Sequence, residues 1–229
     1  MNSFDKSIET FFSGFNSCVL CNHAVQAIAD MYTFKGLVLV PVLWWIWFQS
    51  SERRQWRREV VIATTVSGLL ALLVGRLLAH LPFRPRPAFS PELHLHFPVV
   101  PQSESLLSAW SSFPSDHAML WMSVAVGIFI VSRRVGILAL LYVAIFICTP
   151  RAYLGFHYPT DLLGGAAIGI VITYIMTRDS VRAHYATHML RWIERYPGPS
   201  AMLGFVLCLE LVTQFDELRA FATSVLKVV

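Results

Sequence analysis

Arg151-Ala-Tyr-Leu-Gly-Phe-His157-Tyr-Pro-Thr-Asp161-Leu-Leu-Gly-Gly-Ala-Ala-Ile-Gly169-Ile-Val-Ile-Thr-Tyr-Ile-Met176 sets a cluster of polar groups directly against an apolar run. The run from Asp161 to Met176 reads as a membrane-crossing helix, with Arg151, His157 and Asp161 at its mouth. Polar groups are expensive at the end of such a helix unless they have work to do. An earlier stretch, Pro114-Ser115-Asp116-His117, again puts a histidine at the mouth of an apolar helix. Two histidines, a carboxylate and an arginine are the equipment for making and breaking a phosphorus–oxygen bond through a phosphohistidine.

Composition says where this chemistry takes place. The 229 residues are 55% hydrophobic and 14% charged, with a mean hydropathy of +0.57. Soluble domains carry about 25% charged residues, so the chain reads as a membrane protein, and its length suits one bundle. Apolar runs at 34–48, 60–81, 115–132, 135–149, 161–176 and, more weakly because of Glu210, 201–214 predict an all-α integral membrane bundle of about six transmembrane helices. A spanning helix needs roughly 20 residues, so flanking polar residues must complete several of them. Gly164, Gly165 and Gly169 would allow close helix approach. The expected organisation is an N-terminal amphipathic segment over 1–30, the bundle over 31–215 and a tail over 216–229.

Arginine placement sets the expected orientation. Arg53, Arg54, Arg57 and Arg58, then Arg133 and Arg134, then Arg178, Arg182, Arg191 and Arg195 fill three connections that the positive-inside rule puts in the cytoplasm. The loops carrying both histidine motifs then face the periplasm or exterior of a multi-pass cell membrane protein. The N-terminal segment, with Phe11, Phe12, Phe15, Val19, Leu20 and Ile28, reads as a helix lying in the membrane interface. Asp5 and Glu9, and the lack of a basic start, argue against a cleaved signal peptide.

Each motif has a physical rationale. Pro159 suits a first helical turn, so Asp161 can reach back to one nitrogen of His157, fix its tautomer and leave the other nitrogen to attack. Pro114 opens another helix, whose backbone N–H groups at Ser115 and Asp116 would bind phosphate, with His117 close enough to protonate a leaving oxygen. Arg84-Pro85-Arg86-Pro87 supplies arginine forks that match phosphate oxygens. Taken singly, a histidine here more often caps a helix, and such arginines bind lipid headgroups about as often as substrates. The constellation on one face argues for catalysis.

These residues resemble the three motifs of the type 2 phosphatidic acid phosphatase superfamily, over roughly 34–176. The resemblance implies a metal-independent lipid-phosphate phosphatase without cofactors, His157 as nucleophile, Asp161 as its partner and His117 as acid. Arg86, Arg151 and Ser115 would bind the phosphoryl group. The first motif commonly begins with lysine where this chain has Ala79 or Leu77; Arg76 or His80 would replace the missing charge. Asp116 stands where the second motif commonly has glycine. The Pro-Ser-Asp-His form and the Arg-Pro-Arg-Pro sequence are similar to bacterial undecaprenyl diphosphate phosphatases of the bacitracin-resistance type, which implies a role in cell-wall biogenesis. Partners would then be a polyprenyl or other lipid phosphate and membrane lipids, not nucleic acid. Phosphatidylglycerol phosphate, phosphatidic acid or lipid A as substrate, a phosphotransferase, and a non-enzymatic metal-binding or lipid-transport bundle are the competing readings. Cys18 and Cys21, near His23, have the spacing of a disulfide or half a metal site; Glu92, His94 and His96 read as solvated loop.

Overall fold

The computed structural model describes residues 2–14, 19–80, 83–90, 95, 97 and 110–215, and every regular element among them is helical. In order these are α1 (Ser3–Ser13), α2 (Val19–Asp30), α3 (Tyr32–Lys35), α4 (Leu39–Phe48), α5 (Arg54–Leu78), a short turn at Pro87–Phe89, α6 (Asp116–Val131), α7 (Arg133–Tyr153), α8 (Pro159–Thr177), α9 (Asp179–Arg195) and α10 (Pro197–Thr213). Three of them, α5, α7 and α8, are long and apolar enough to cross a membrane, and α4, α6 and α10 are shorter apolar helices. The expected bundle of about six membrane helices is therefore present.

Two boundaries depart from the sequence reading. The first apolar run is broken near Gly36, where a Cβ would sit 2.4 Å from the Trp121 ring, and only Leu39–Phe48 continues as one apolar helix. The basic stretch read as a connection is helix α9, because Ala186 and Leu190, one turn apart, bury themselves against Ile62 of α5. Arg182 of α9 donates to Glu59 of α5 (3.4 Å), whose other oxygen takes Thr187 (3.2 Å) and Gln55 (3.0 Å).

α6 is the central post, with Met119, Leu120, Trp121, Val124 and Ile128 fully buried. α5 runs antiparallel to it, since Gly75 meets Asp116 and Met119 whereas Gly127 meets Thr64. α8 runs parallel: a Cβ on Gly165 would fall 2.5 Å from the Ser115 carbonyl oxygen, and one on Gly169 2.3 Å from that of Met119. The expected glycine approach is thus realised between α6 and α8. Ser123 Oγ donates to the carbonyls of Met119 (2.8 Å) and Gly169 (3.1 Å), and Thr173 Oγ to that of Ser123 (3.2 Å). Such bonds join helices where apolar faces alone have lipid as an equal alternative.

This packing fixes what lies at each end. The N-termini of α6 and α8 meet the C-terminus of α5 at one end, which holds both histidine motifs. The arginine-bearing ends of α5, α7 and α9 gather at the other.

Candidate active site

His157 lies in the turn between α7 and α8. A widened helical turn at Val143–Cys148 precedes Pro150 and accommodates a ring that an ordinary turn would reject. The helix then carries Arg151 into a buried position and ends at Gly155, whose φ of +69° is glycine territory. Gly155 accepts from the Ala88 N–H (2.9 Å), which pins the Arg-Pro-Arg-Pro segment against this turn.

The His157 ring is buried, with Nδ1 2.8 Å from the backbone oxygen of Ser112. A carbonyl only accepts, so Nδ1 carries the proton and Nε2 the lone pair. Arg86 Nη1 lies 3.3 Å from Nε2 and donates to the Phe156 carbonyl at 2.9 Å. Burial, and then the Arg86 guanidinium, hold His157 well below its ordinary range, while Asp116 pulls the other way. At neutral pH the ring is uncharged. Burial also lowers Arg86, offset by Asp116 and Asp161.

The second histidine is arranged differently. His117 Nδ1 is 2.9 Å from Asp116 Oδ1, which also takes the His117 backbone N–H at 2.8 Å. The carboxylate that fixes a ring is therefore Asp116 on His117. Arg151 lies within electrostatic reach of Asp116 and Arg86, so the structure brings His157, His117, Asp116, Arg86 and Arg151 to one locus.

Four expectations are corrected. Asp161 was expected to reach back to His157, yet its Oδ2 takes the Tyr158 N–H (2.9 Å) and the Ser112 hydroxyl. His157 precedes the first residue of α8, and a carboxylate in a helix's first turn reaches most easily to that helix's own orphan N–H. Arg84 was expected to bind phosphate; its guanidinium instead contacts Asp161 Oδ1, Asp5 Oδ2 (2.8 Å) and Thr160 Oγ (3.0 Å), and lies 4.0 Å over the Tyr158 ring centre. Arg76 contacts the Gln214 carbonyl, on the α10 side, and His80 stands 4.9 Å from Trp110. The Ser115 N–H donates to the Asp161 carbonyl (3.3 Å), and the Ser115 hydroxyl caps α6 by accepting from Ala118 (3.5 Å). The helix end offers phosphate less than its position suggested.

Sequence reading missed Ser112, Thr160, Asp5 and Glu9. In α1, Asp5 and Glu9 are fully buried, whereas Phe4 and Phe11 are exposed. Their i, i+4 spacing was the available signal. Cys21 is disulfide-bonded; Cys18, Glu92, His94 and His96 lie outside the described residues. Among the described residues, no group of three or more His, Cys, Asp or Glu could hold a metal ion.

Residues 58–185 match the PAP2 superfamily. The chain is 24% identical over 157 residues to the undecaprenyl-diphosphatase BcrC of Bacillus subtilis, covering 69% of this chain and 74% of that one. It is 26% identical over 178 residues to the bacitracin transport permease protein BcrC of Bacillus licheniformis, covering 77% and 80%. To the putative undecaprenyl-diphosphatase YbjG of Escherichia coli it is 30% identical over 134 residues, covering 58% and 61%.

Proposed function

The chain belongs to the PAP2 superfamily, and on that premise we propose that it hydrolyses undecaprenyl diphosphate to undecaprenyl phosphate and inorganic phosphate, at a site facing the periplasm or cell exterior. Two relatives named as undecaprenyl diphosphatases and the Pro114-Ser115-Asp116-His117 form support the substrate. The orientation rests on the arginines gathered at the end of the bundle away from the site.

The observation that carries the chemistry is the commitment of His157 Nδ1 to the Ser112 carbonyl at 2.8 Å, which keeps the attacking lone pair on Nε2, the nitrogen that faces Arg86. Nε2 bonds to the terminal phosphorus as the bridging P–O bond breaks, and the departing lipid phosphate takes a proton from His117. Water then gives a proton to His117 and attacks the phosphohistidine, breaking the P–N bond and restoring neutral His157. Arg86 and Arg151 offset charge on the phosphoryl oxygens as it develops. The lipid tail stays in the bilayer, so only the headgroup needs specific recognition. The basic-end connections stay cytoplasmic, and residues 31–215 act as one bundle.

The test is phosphate release in detergent from undecaprenyl diphosphate, a shorter prenyl diphosphate, phosphatidylglycerol phosphate and phosphatidic acid. A diphosphate uses a second set of charge-assisted contacts, worth about 1.5–3 kcal/mol each. It should therefore be preferred by about tenfold or more in kcat/KM. Turnover should persist with chelator, and an acid-labile, base-stable phosphoenzyme should form in the wild type and not in His157→Ala. Equal or faster hydrolysis of phosphatidic acid or phosphatidylglycerol phosphate removes the substrate assignment. A phosphoenzyme in folded His157→Ala removes the nucleophile.

A further inference from the structure

α1 ends in the catalytic hydrogen-bond network. Asn2 caps it, accepting from the Asp5 N–H at 2.7 Å. Its inward face then presents Asp5, Glu9 and Phe12 at successive turns. Phe12 packs against the cluster of Ala118, Ala152 and Leu162, and lies 5.8 Å from the Tyr153 ring.

Asp5 is fully buried and its carboxylate contacts lead toward the site. Its Oδ1 accepts from the Thr160 backbone N–H (3.0 Å), and its Oδ2 from Thr160 Oγ (2.7 Å) and Arg84 Nη2 (2.8 Å). The Thr160 hydroxyl donates to Asp5 and accepts from Arg84 (3.0 Å), so each of its hydrogen-bonding roles is defined. Arg84 grips Asp161, Asp161 grips the Ser112 hydroxyl, and the Ser112 carbonyl fixes His157. A continuous chain of contacts thus runs from Asp5 through Arg84, Asp161 and Ser112 to the attacking ring.

We propose that α1 is part of the catalytic apparatus and that Asp5 is a positioning residue, aligning His157 by bracing Arg84 against Asp161 and by holding Thr160 in the first turn of α8. Two features distinguish this from a simple N-terminal anchor. Arg84 faces two carboxylates at once, so removing Asp5 leaves it one carboxylate and freedom to shift relative to Asp161. Thr160 neighbours Asp161 in the chain, so Asp5 constrains that carboxylate from both the guanidinium side and the backbone side. A displacement of the ring by an ångström from the attack line costs rate with little effect on binding.

The proposal rests on the phosphatase reading, and its test uses whichever lipid phosphate the wild type turns over. A wrong substrate assignment therefore shows as a different best substrate, and a wrong role for α1 as unchanged kcat on it. Asp5→Asn keeps the shape and removes the charge. It should lower kcat about tenfold or more with KM within about twofold. Lys6→Gln, on the exposed face of α1, should match the wild type. Because Arg84 carries one of the two routes from Asp5, the double variant Asp5→Asn/Arg84→Gln should fall below Arg84→Gln by less than Asp5→Asn alone falls below the wild type. If Asp5→Asn does not fold in detergent, Thr160→Val removes only the bridging hydroxyl and should lower kcat several-fold at unchanged KM. Wild-type kcat in Asp5→Asn or, failing that, in Thr160→Val overturns the proposal. So do single losses that multiply in the double variant.

Discussion

The backbone oxygen of Ser112 lies 2.8 Å from Nδ1 of His157, so the imidazole is aimed by the main chain. The nearest carboxylate in sequence, Asp161, holds the Ser112 hydroxyl and the Tyr158 N–H that flank this contact. Orientation and charge are thereby divided. The carbonyl fixes the tautomer without adding negative charge at the ring, and Asp161 keeps the carbonyl in place. A neutral imidazole beside the Arg86 guanidinium suits the proposed nucleophile, which must meet an anionic phosphoryl group.

Asp161→Asn should therefore lower both stability and rate without removing the nucleophile. It leaves Arg84, still paired with Asp5, facing one carboxylate fewer, and it loosens the Ser112 contact that orients His157, so the folded state is destabilised. Thermal unfolding in detergent should show that loss, and the folded fraction should still form the phosphoenzyme, unlike His157→Ala. Complete loss of the phosphoenzyme in folded Asp161→Asn would restore a direct role at the ring.

The acid side of the pH profile reports on His157. Burial and Arg86 depress it below 6.5, so the limb of kcat/KM set by its protonation should fall well below that pH. Arg86→Gln removes the cationic neighbour and should move this limb upward. It should also cost about 10²–10³ in kcat, as loss of a donor aimed at developing charge does. For stability, the unfolded chain binds a proton near pH 6.5 and the folded chain does not. The contribution is thus full above that pH and declines as pH falls below it. A limb that stays put in Arg86→Gln would show that the guanidinium does not act on the ring.

Asp116 departs from the glycine common in the second motif, and it is the residue that holds His117. Asp116→Gly frees the imidazole to rotate and removes the acceptor that fixes its tautomer. General acid–base catalysis contributes about 10²–10⁴, so losing its alignment should lower kcat by about 10–100-fold while His157 still becomes phosphorylated by substrates with good leaving groups. Rapid-quench measurement separates the two steps. Wild-type turnover in Asp116→Gly would mean that His117 is held by something else.

The membrane bundle was legible because apolar runs obey one-dimensional rules, and the motifs that bring His157, His117, Arg86 and Arg151 to one end of it stand out in the sequence. Partnerships were not. Which carboxylate serves which histidine depends on how α8 is capped, and on a backbone carbonyl that has no side-chain signature. Arg84 and Arg86 look equivalent in an Arg-Pro-Arg-Pro sequence, yet the intervening proline sends one to Asp161 and the other to His157. The role of Asp5 had no local sign because its partners, Arg84 and Thr160, lie more than seventy residues away.

Topology can be tested by thiol labelling in a background lacking native cysteines. Phe83, just past the site end of α5, and Glu52, at the arginine end, are both exposed. Ser90 is a poorer position because it is buried and its hydroxyl donates to the Arg86 carbonyl (3.0 Å). Cysteine at position 83 should react with an impermeant reagent added outside intact cells, and cysteine at 52 only after permeabilisation. The opposite pattern would turn the active site to the cytoplasm.

Glu9 sets the last expectation. It is fully buried, neither carboxylate oxygen has a hydrogen-bond partner, and burial, followed by Asp5 and Asp161, raises it from 4.5 to about 8. The folded chain therefore keeps this proton at pH values where the unfolded chain has released it. Its contribution to stability is full below about pH 4.5 and is lost as pH rises toward about 8, where the folded group ionises. Glu9→Gln supplies a permanently neutral group of the same shape. Relative to the wild type its unfolding midpoint should rise steadily between about pH 4.5 and pH 8 and then level off. Circular dichroism melts in detergent across that range measure the difference directly. A midpoint difference that does not change with pH would mean that Glu9 is already ionised in the folded protein, with a cation or water supplying the partner its oxygens lack.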